Sequence, residues 1–198
     1  MKADKPRVIV LAGPNGAGKT TTAPMLLRNT LAVEEFVNAD ALAQGLSAFA
    51  PEKAAVAAGR IMLARLSKLA EKRMNFAFET TLAARCFAPK LKGLMDAGYK
   101  SHLIFLALPN VEMAVHRVSK RVCLGGHNIP EYDIKRRFES GLNNFFRLYR
   151  SVVSSWMFYD NSSLGRPILS AVGIRGVGVK LHNSWLYEIF SRKYRDEQ

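Results

Sequence analysis

Val8-Ile-Val-Leu-Ala12, followed by Gly13-Pro-Asn-Gly-Ala-Gly-Lys-Thr20, decides the fold. A continuous apolar, β-branched run ended by Gly-Pro suits a strand buried on both faces of a parallel sheet. The octapeptide matches G-x-x-x-x-G-K-[ST], and Lys19 to Asn29 reads as a helix, which completes the strand-loop-helix setting the motif requires. Gly13, Gly16 and Gly18 let the backbone curl so that successive N–H groups and the helix N-terminus face phosphate oxygens. Lys19 then reaches the outer phosphates and the Thr20 hydroxyl is the Mg²⁺ ligand. The candidate ATP-binding residues are Gly13, Pro14, Asn15, Gly16, Ala17, Gly18, Lys19, Thr20 and Thr21. A glycine turn with no ligand has no packing reason to be followed by Lys-Thr.

Beyond the loop the chain alternates strands with helices. Short strands are expected at Phe36–Asn38, Asn75–Glu79, His102–Leu108 and Ser155–Tyr159. Helices are expected over Pro51–Arg73, Pro89–Ala97 with Gly98 as its stop, Val111–Val122 and Glu131–Tyr149. This rhythm predicts a three-layer α/β nucleotide-binding fold of the P-loop kinase type, with a mostly parallel five-stranded sheet and right-handed crossovers. The turn-rich segment Asp160–Pro167 is the one composition break. The expected organisation is a single domain over 1–198, with a lid at about 117–137 and a C-terminal appendage at about 164–198, a β-hairpin plus a helix.

Composition limits the alternatives. The 198 residues are 48% hydrophobic, with Lys+Arg 29 against Asp+Glu 16 and a net charge of +13. Such a chain buries a core. It has no apolar run of the ~20 residues a membrane span needs and no signal-peptide core at its start, so no membrane partner and a cytoplasmic location are expected. Cys86 and Cys123 lack metal-ligand spacing and are expected as buried thiols. The basic excess fits nucleic acid, an acidic surface or a phosphate-rich substrate equally well.

Polar residues at strand ends carry the chemistry, because open α/β sheets bind ligands there. Asn38-Ala39-Asp40 follows the second strand and Phe78-Glu79-Thr80-Thr81 closes the third. An aspartate beside the transferring phosphate can orient an acceptor hydroxyl and accept its proton; its bland alternative is a helix N-cap. Glu79 closes an apolar strand and therefore needs a partner: a substrate hydroxyl, Mg²⁺-bound water or an arginine. Arg117–Arg137 places Lys and Arg on both sides of Gly125-Gly126, as a closing lid would, with arginines able to reach transferring phosphates. His127 reads as a loop or capping residue. A transporter-type ATPase is disfavoured, since His102–Leu108 ends at Pro109-Asn110 and no LSGGQ run follows.

Together GPNGAGKTT, FVNAD, FETTL, RVCLGGHNIPEYDIKRRF and WMFYDNS, over roughly residues 7 to 163, resemble the zeta toxin family of P-loop kinases. The resemblance implies transfer of the γ-phosphate of ATP, with Mg²⁺, to a hydroxyl; in the best-known members the acceptor is UDP-N-acetylglucosamine. It further implies Asp40 as catalytic base, Glu79 and Thr81 as acceptor contacts, Arg121 with Arg136 or Arg137 as phosphate clamps, and an antitoxin protein as partner. At one position this chain departs from the family. An arginine expected two residues after the matching threonine is Ala83 here, and Arg85, two further on, is the candidate for that contact. The alternatives are a kinase of nucleic-acid ends, disfavoured because no platform of paired aromatics stands on adjacent strands, and a binding module that hydrolyses ATP slowly.

Overall fold

The computed structural model describes residues 5–30, 33–126, 128–163 and 165–195. Among them seven strands form one sheet: β1 (Arg7–Ala12), β2 (Glu35–Val37), β3 (Phe76–Thr80), β4 (Lys100–Ala107), β5 (Ser155–Asp160), β6 (Ile168–Ile174) and β7 (Gly178–Leu181), in the spatial order 2-3-1-4-5-6-7. The first five pair in parallel. β1 sits between β3 and β4, and Val8 to Ala12 are at most 1% exposed. The apolar run is therefore continuous rather than alternating because both of its faces are covered.

The sheet has seven strands and not the expected five, because the C-terminal hairpin joins its edge. β6 pairs antiparallel with β5 from Ser155↔Ile174 to Asp160↔Ile168, and β7 continues the sheet. Without β6, the N–H and C=O groups along that side of β5 would lack partners. Gly173 makes the docking tight, since a Cβ there would lie 2.1 Å from the Trp156 ring; glycine in a strand marks such a close approach.

The helices are α1 (Lys19–Ala23), α2 (Ala39–Leu46), α3 (Pro51–Glu71), α4 (Phe87–Asp96), α5 (Val111–Cys123), α6 (Glu131–Asn144), α7 (Arg150–Val152) and α8 (Trp185–Arg195). α1 is shorter than expected: from Pro24, which has no N–H to donate, the chain runs on to Thr30 with the wider π hydrogen bonding. Phe145–Tyr149 is a second π turn after α6. α4 stops as its sequence predicts, with Gly98 at φ 91° and Tyr99 N–H donating to the Leu94 carbonyl at 3.0 Å. α8 folds back so that Tyr187, Phe190 and Tyr194 are buried while Trp185 stays exposed. Tyr187 stacks on Trp156 with ring centroids 5.5 Å apart. Phe105, Phe145, Phe146 and Phe158 complete this aromatic core.

Cys86 and Cys123 are both exposed, contrary to the expectation of buried thiols. Each stands at a helix end beside a loop, whereas the packed face of α5 is carried by Ala114 and Val118. None of the described helices is long and apolar enough to cross a membrane.

Candidate active site

The site is built where β1, β2 and β3 end. The loop after β1 takes left-handed backbone at Gly16 and Gly18, both at φ 77°, with Gly13 at φ 141°. An added Cβ at Gly13 would fall 2.2 Å from the Leu106 carbonyl oxygen, so glycine is required there by space as well as by conformation. Lys19 is buried, and its Nζ donates to the Gly13 and Pro14 carbonyls at 2.8 and 2.9 Å. Its ammonium is held across its own loop. Burial pushes the Lys19 pKa below its usual value, with nearby Arg121 acting in the same direction and the carboxylates of Glu79 and Asp40 opposing.

Strand register brings Glu79 to the loop. Leu11 pairs with Glu79 and Ala12 with Thr80, so the carboxylate stands beside the root of the phosphate loop. Glu79 Oε2 accepts from Thr20 Oγ1 at 3.0 Å and from Asn38 Nδ2 at 2.9 Å, and Glu79 Oε1 is 3.7 Å from Lys19 Nζ. The predicted need of Glu79 for a partner is thus met by Thr20, Asn38 and Lys19.

Asn38, not Asp40, caps α2. The Asn38 Oδ1 accepts from the Asp40 and Ala41 N–H groups at 2.8 and 3.2 Å. This leaves the Asp40 side chain in the first turn, exposed and lining the cavity. That cavity, about 270 Å³, is walled by loop residues between Asn15 and Thr21 and by Asp40, Glu79, Arg117 and Arg121.

Arg117 plays a part that its place in the lid segment did not suggest. Its guanidinium donates to the Asn161 and Ser162 carbonyls at 2.8 and 2.7 Å, while Asn161 Nδ2 donates to the Ala17 carbonyl at 2.8 Å. α5 is thereby tied to the segment after β5, and that segment to the phosphate loop. Arg121 lies one turn further on the same helix face. At the end of α5, Gly125 at φ 82° and the Gly126 N–H donating to the Arg121 carbonyl at 2.9 Å form a Schellman stop. His127 lies outside the described residues.

The remaining expected site residues are not gathered in this cavity. Arg136 is exposed and pairs with Asp133 at 2.7 Å, Arg137 is half-buried on α6, and Arg85 is exposed. Thr81 is half-buried in the segment after β3, where its Oγ1 accepts from the Ala83 N–H at 3.4 Å. This segment is firmly held. Leu82, fully buried, has φ 58°, and Asn144 Nδ2 donates to the Leu82 and Ala83 carbonyls at 2.8 and 3.1 Å. A bulky residue in left-handed backbone costs about 1–3 kcal/mol and persists where its surroundings over-determine it.

Two members of the site were not singled out from sequence as site residues. Asn38 carries the ordinary signal of an Asn before a helix, but its link to Glu79 spans 41 residues. Arg117 has no local mark separating it from its basic neighbours.

The sequence matches the family model of the zeta toxins over residues 1–162. An uncharacterized protein of Haemophilus influenzae is 28% identical over 132 residues, covering 67% of this chain and 92% of that protein. The crystal structure of AvrRxo1-ORF1:AvrRxo1-ORF2 with sulphate ions superposes with a TM-score of 0.71 at 16% identity, covering 96% of this chain and 64% of that one. The same complex with ATP gives 0.67. This chain thus spans slightly less than two thirds of the AvrRxo1 chain. A structure from the PezAT chromosomal toxin-antitoxin system of Streptococcus pneumoniae gives 0.61 at 16% identity, covering 81% of this chain and 70% of that one. At such identities the structural likeness establishes a shared α/β P-loop kinase fold. With the family match spanning β1 to the end of β5, the chain belongs to the zeta toxin family.

Proposed function

We propose that the protein is an ATP-dependent phosphotransferase acting on a hydroxyl of a small molecule, and that it works as one kinase unit. The observation that carries this reading is the convergence of Lys19, Asp40, Glu79 and Arg121 on a single cavity at the carboxyl ends of β1 to β3. The γ-phosphate would lie between the loop and Arg121. Lys19 would leave the Gly13 and Pro14 carbonyls for the phosphate oxygens, a change that its long flexible stem allows. Asp40 would hold the acceptor hydroxyl in line and take its proton as the oxygen–phosphorus bond forms and the bond to the ADP leaving group breaks. Arg121 would meet charge growing on the transferring group.

The donor set also fits a Mg²⁺ ion, since a hydroxyl and a carboxylate already share one point at Thr20 and Glu79. Those two residues would hold it, and the chemistry it supplies is neutralisation of phosphate charge. This reading moves Glu79 from the acceptor side to the metal side. Among protein partners an antitoxin is favoured by the family and by the PezAT toxin-antitoxin system from which one structural neighbour comes. A sugar nucleotide such as UDP-N-acetylglucosamine is the acceptor that membership of the family implies, and Ala83, where an arginine is expected, argues away from it.

The test is incubation with γ-labelled ATP, Mg²⁺ and a metabolite extract. A labelled small-molecule product is expected. Label recovered only as free phosphate would replace the kinase reading with slow hydrolysis by a binding module.

A further inference from the structure

A cavity of about 170 Å³ lies between α3 and α4, and it shares no lining residue with the phosphate-loop cavity. β3 supplies the floor: Phe76 and Phe78, two residues apart, turn to one face of the sheet, and both are buried. Leu66 of α3 and Leu91 of α4 wall it, and the Phe87 ring leans on Phe78 with centroids 5.1 Å apart. The α3 side is anchored. The Tyr99 hydroxyl donates to the Met74 carbonyl just beyond α3 at 3.0 Å, and the Tyr99 ring meets Phe76 edge-on at 5.8 Å. Protein interiors hold few voids larger than a water molecule, so an apolar space of this volume between anchored elements calls for a reason.

The lining is Leu, Phe and Ala except for Ser67 and Lys90. The Ser67 hydroxyl donates to the Leu63 carbonyl of its own helix at 3.1 Å, whereas the exposed Lys90 ammonium pairs with no carboxylate of the described residues. Both flanking stretches carry one sign of charge, since no Asp or Glu occurs between Lys53 and Glu71 or between Glu79 and Asp96. An apolar cavity of about 150 Å³ walled by Leu, Ile and Phe stays dry and takes up benzene. The cavity between α3 and α4 is of that size and composition, with a cation added at its rim. Small-molecule sites are built this way, from apolar walls and a few polar groups that fix orientation. A cationic head group would meet a like charge there, and an uncharged one would leave Lys90 without a counter-ion.

We propose that this cavity is a binding site for a small apolar carboxylate. A phenyl ring or short alkyl chain enters between α3 and α4 and rests on Phe76 and Phe78, and the carboxylate pairs with Lys90 at the rim. The site stands apart from the kinase reading, because it needs neither nucleotide nor any residue of the phosphate-loop cavity.

Titration of the full chain, without nucleotide, followed by methyl NMR tests this. The probes are hexanoate and phenylpropionate, with hexanol and hexylamine as uncharged and cationic counterparts. Both carboxylates are expected to shift the methyl signals of Leu66 and Leu91, and hexanoate to bind roughly fivefold tighter than hexanol, the worth of one partly exposed charge pair. Hexylamine should bind more weakly than either. Lys90→Gln, at an exposed position, should bring hexanoate to the level of hexanol. Ala70→Leu fills the cavity from α3; it should abolish binding of every probe while the melting temperature holds or rises. Equal affinity for hexanoate and hexanol in the wild type would overturn the proposal, as would carboxylate binding that survives Ala70→Leu or shifts confined to the phosphate loop. A stabilised Ala70→Leu beside a wild type that binds no carboxylate would overturn it too, and would make the cavity a packing void.

Discussion

Thr20 Oγ1 donates to Glu79 Oε2 at 3.0 Å, joining the first turn of α1 to the end of β3 across 59 residues of sequence. The hydroxyl that the phosphate-loop motif assigns to the metal is thus already paired with a carboxylate, at the edge of the phosphate-loop cavity.

From that pairing follows the behaviour of Glu79→Gln. The amide keeps the shape and can still accept from Thr20 and Asn38, but the charge that would hold Mg²⁺ is gone. Transfer should fall by about 10²-fold or more, in line with the loss of one preorganised charged group. Metal-free nucleotide should bind at least as well as in the wild type, since a negative charge 3.7 Å from Lys19 has been removed. Titration of nucleotide with and without Mg²⁺, beside kcat, separates the two effects. Unchanged Mg²⁺ dependence would return Glu79 to the acceptor side.

Asp40 gives a different signature. Its side chain makes no cap, because Asn38 performs that task. Asp40→Ala should leave the melting temperature and ATP affinity nearly unchanged and reduce kcat by about 10²–10⁴-fold, the usual worth of a positioned proton acceptor. Asn38→Ala should instead destabilise α2 by about 1 kcal/mol through the lost cap, and weaken Glu79 as well. If Asp40→Ala lost ATP affinity and turnover together, Asp40 would be a structural residue.

The same contrast explains what could be read from the sequence. β1, the phosphate loop and the stop of α4 at Gly98 are written in contiguous residues, so local pattern suffices. The partners of Glu79 are not, because Thr20 and Asn38 reach it only through the 2-3-1 strand order. Arg117, Lys120, Arg121, Arg136 and Arg137 look alike as a basic segment. Helical phase separates them: Arg117 and Arg121 share the face of α5 turned to the loop, while Arg136 and Arg137 belong to α6. The sequence marks the β6–β7 hairpin by its glycines but not its place in the sheet. Gly173 is instead a contact point for Trp156, which only tertiary packing reveals.

Gly141 on α6 is a structural control on the segment after β3. A Cβ at this position would lie 2.3 Å from the Thr81 carbonyl oxygen, a backbone atom that cannot rotate away. Gly141→Ala gains helix propensity, but the overlap must push α6 from the Thr81–Ala84 segment. A net loss of about 1–3 kcal/mol is expected by denaturant unfolding. Asn144 on the same helix holds the Leu82 and Ala83 carbonyls, so the displacement is carried through the whole segment. A stabilised variant would show that the helix and loop separate freely.

His102 on β4 predicts how stability depends on pH. Burial first, and then the positive charges of Arg7 and Lys100, hold its pKa below the ordinary 6.5. Its Nδ1 is 2.7 Å from Ser155 Oγ. The unfolded chain therefore binds this proton more readily than the folded one, so stability is fully present above the unfolded value and is lost as pH falls from there towards the lower folded value. His102→Gln keeps a polar group for Ser155 and removes the titration. Urea unfolding between about pH 7.5 and about pH 5.5 should show the wild type losing stability relative to this variant, by at most one proton, about 1.4 kcal/mol per pH unit. A stability difference constant across that range would mean that His102 binds its proton equally well folded and unfolded.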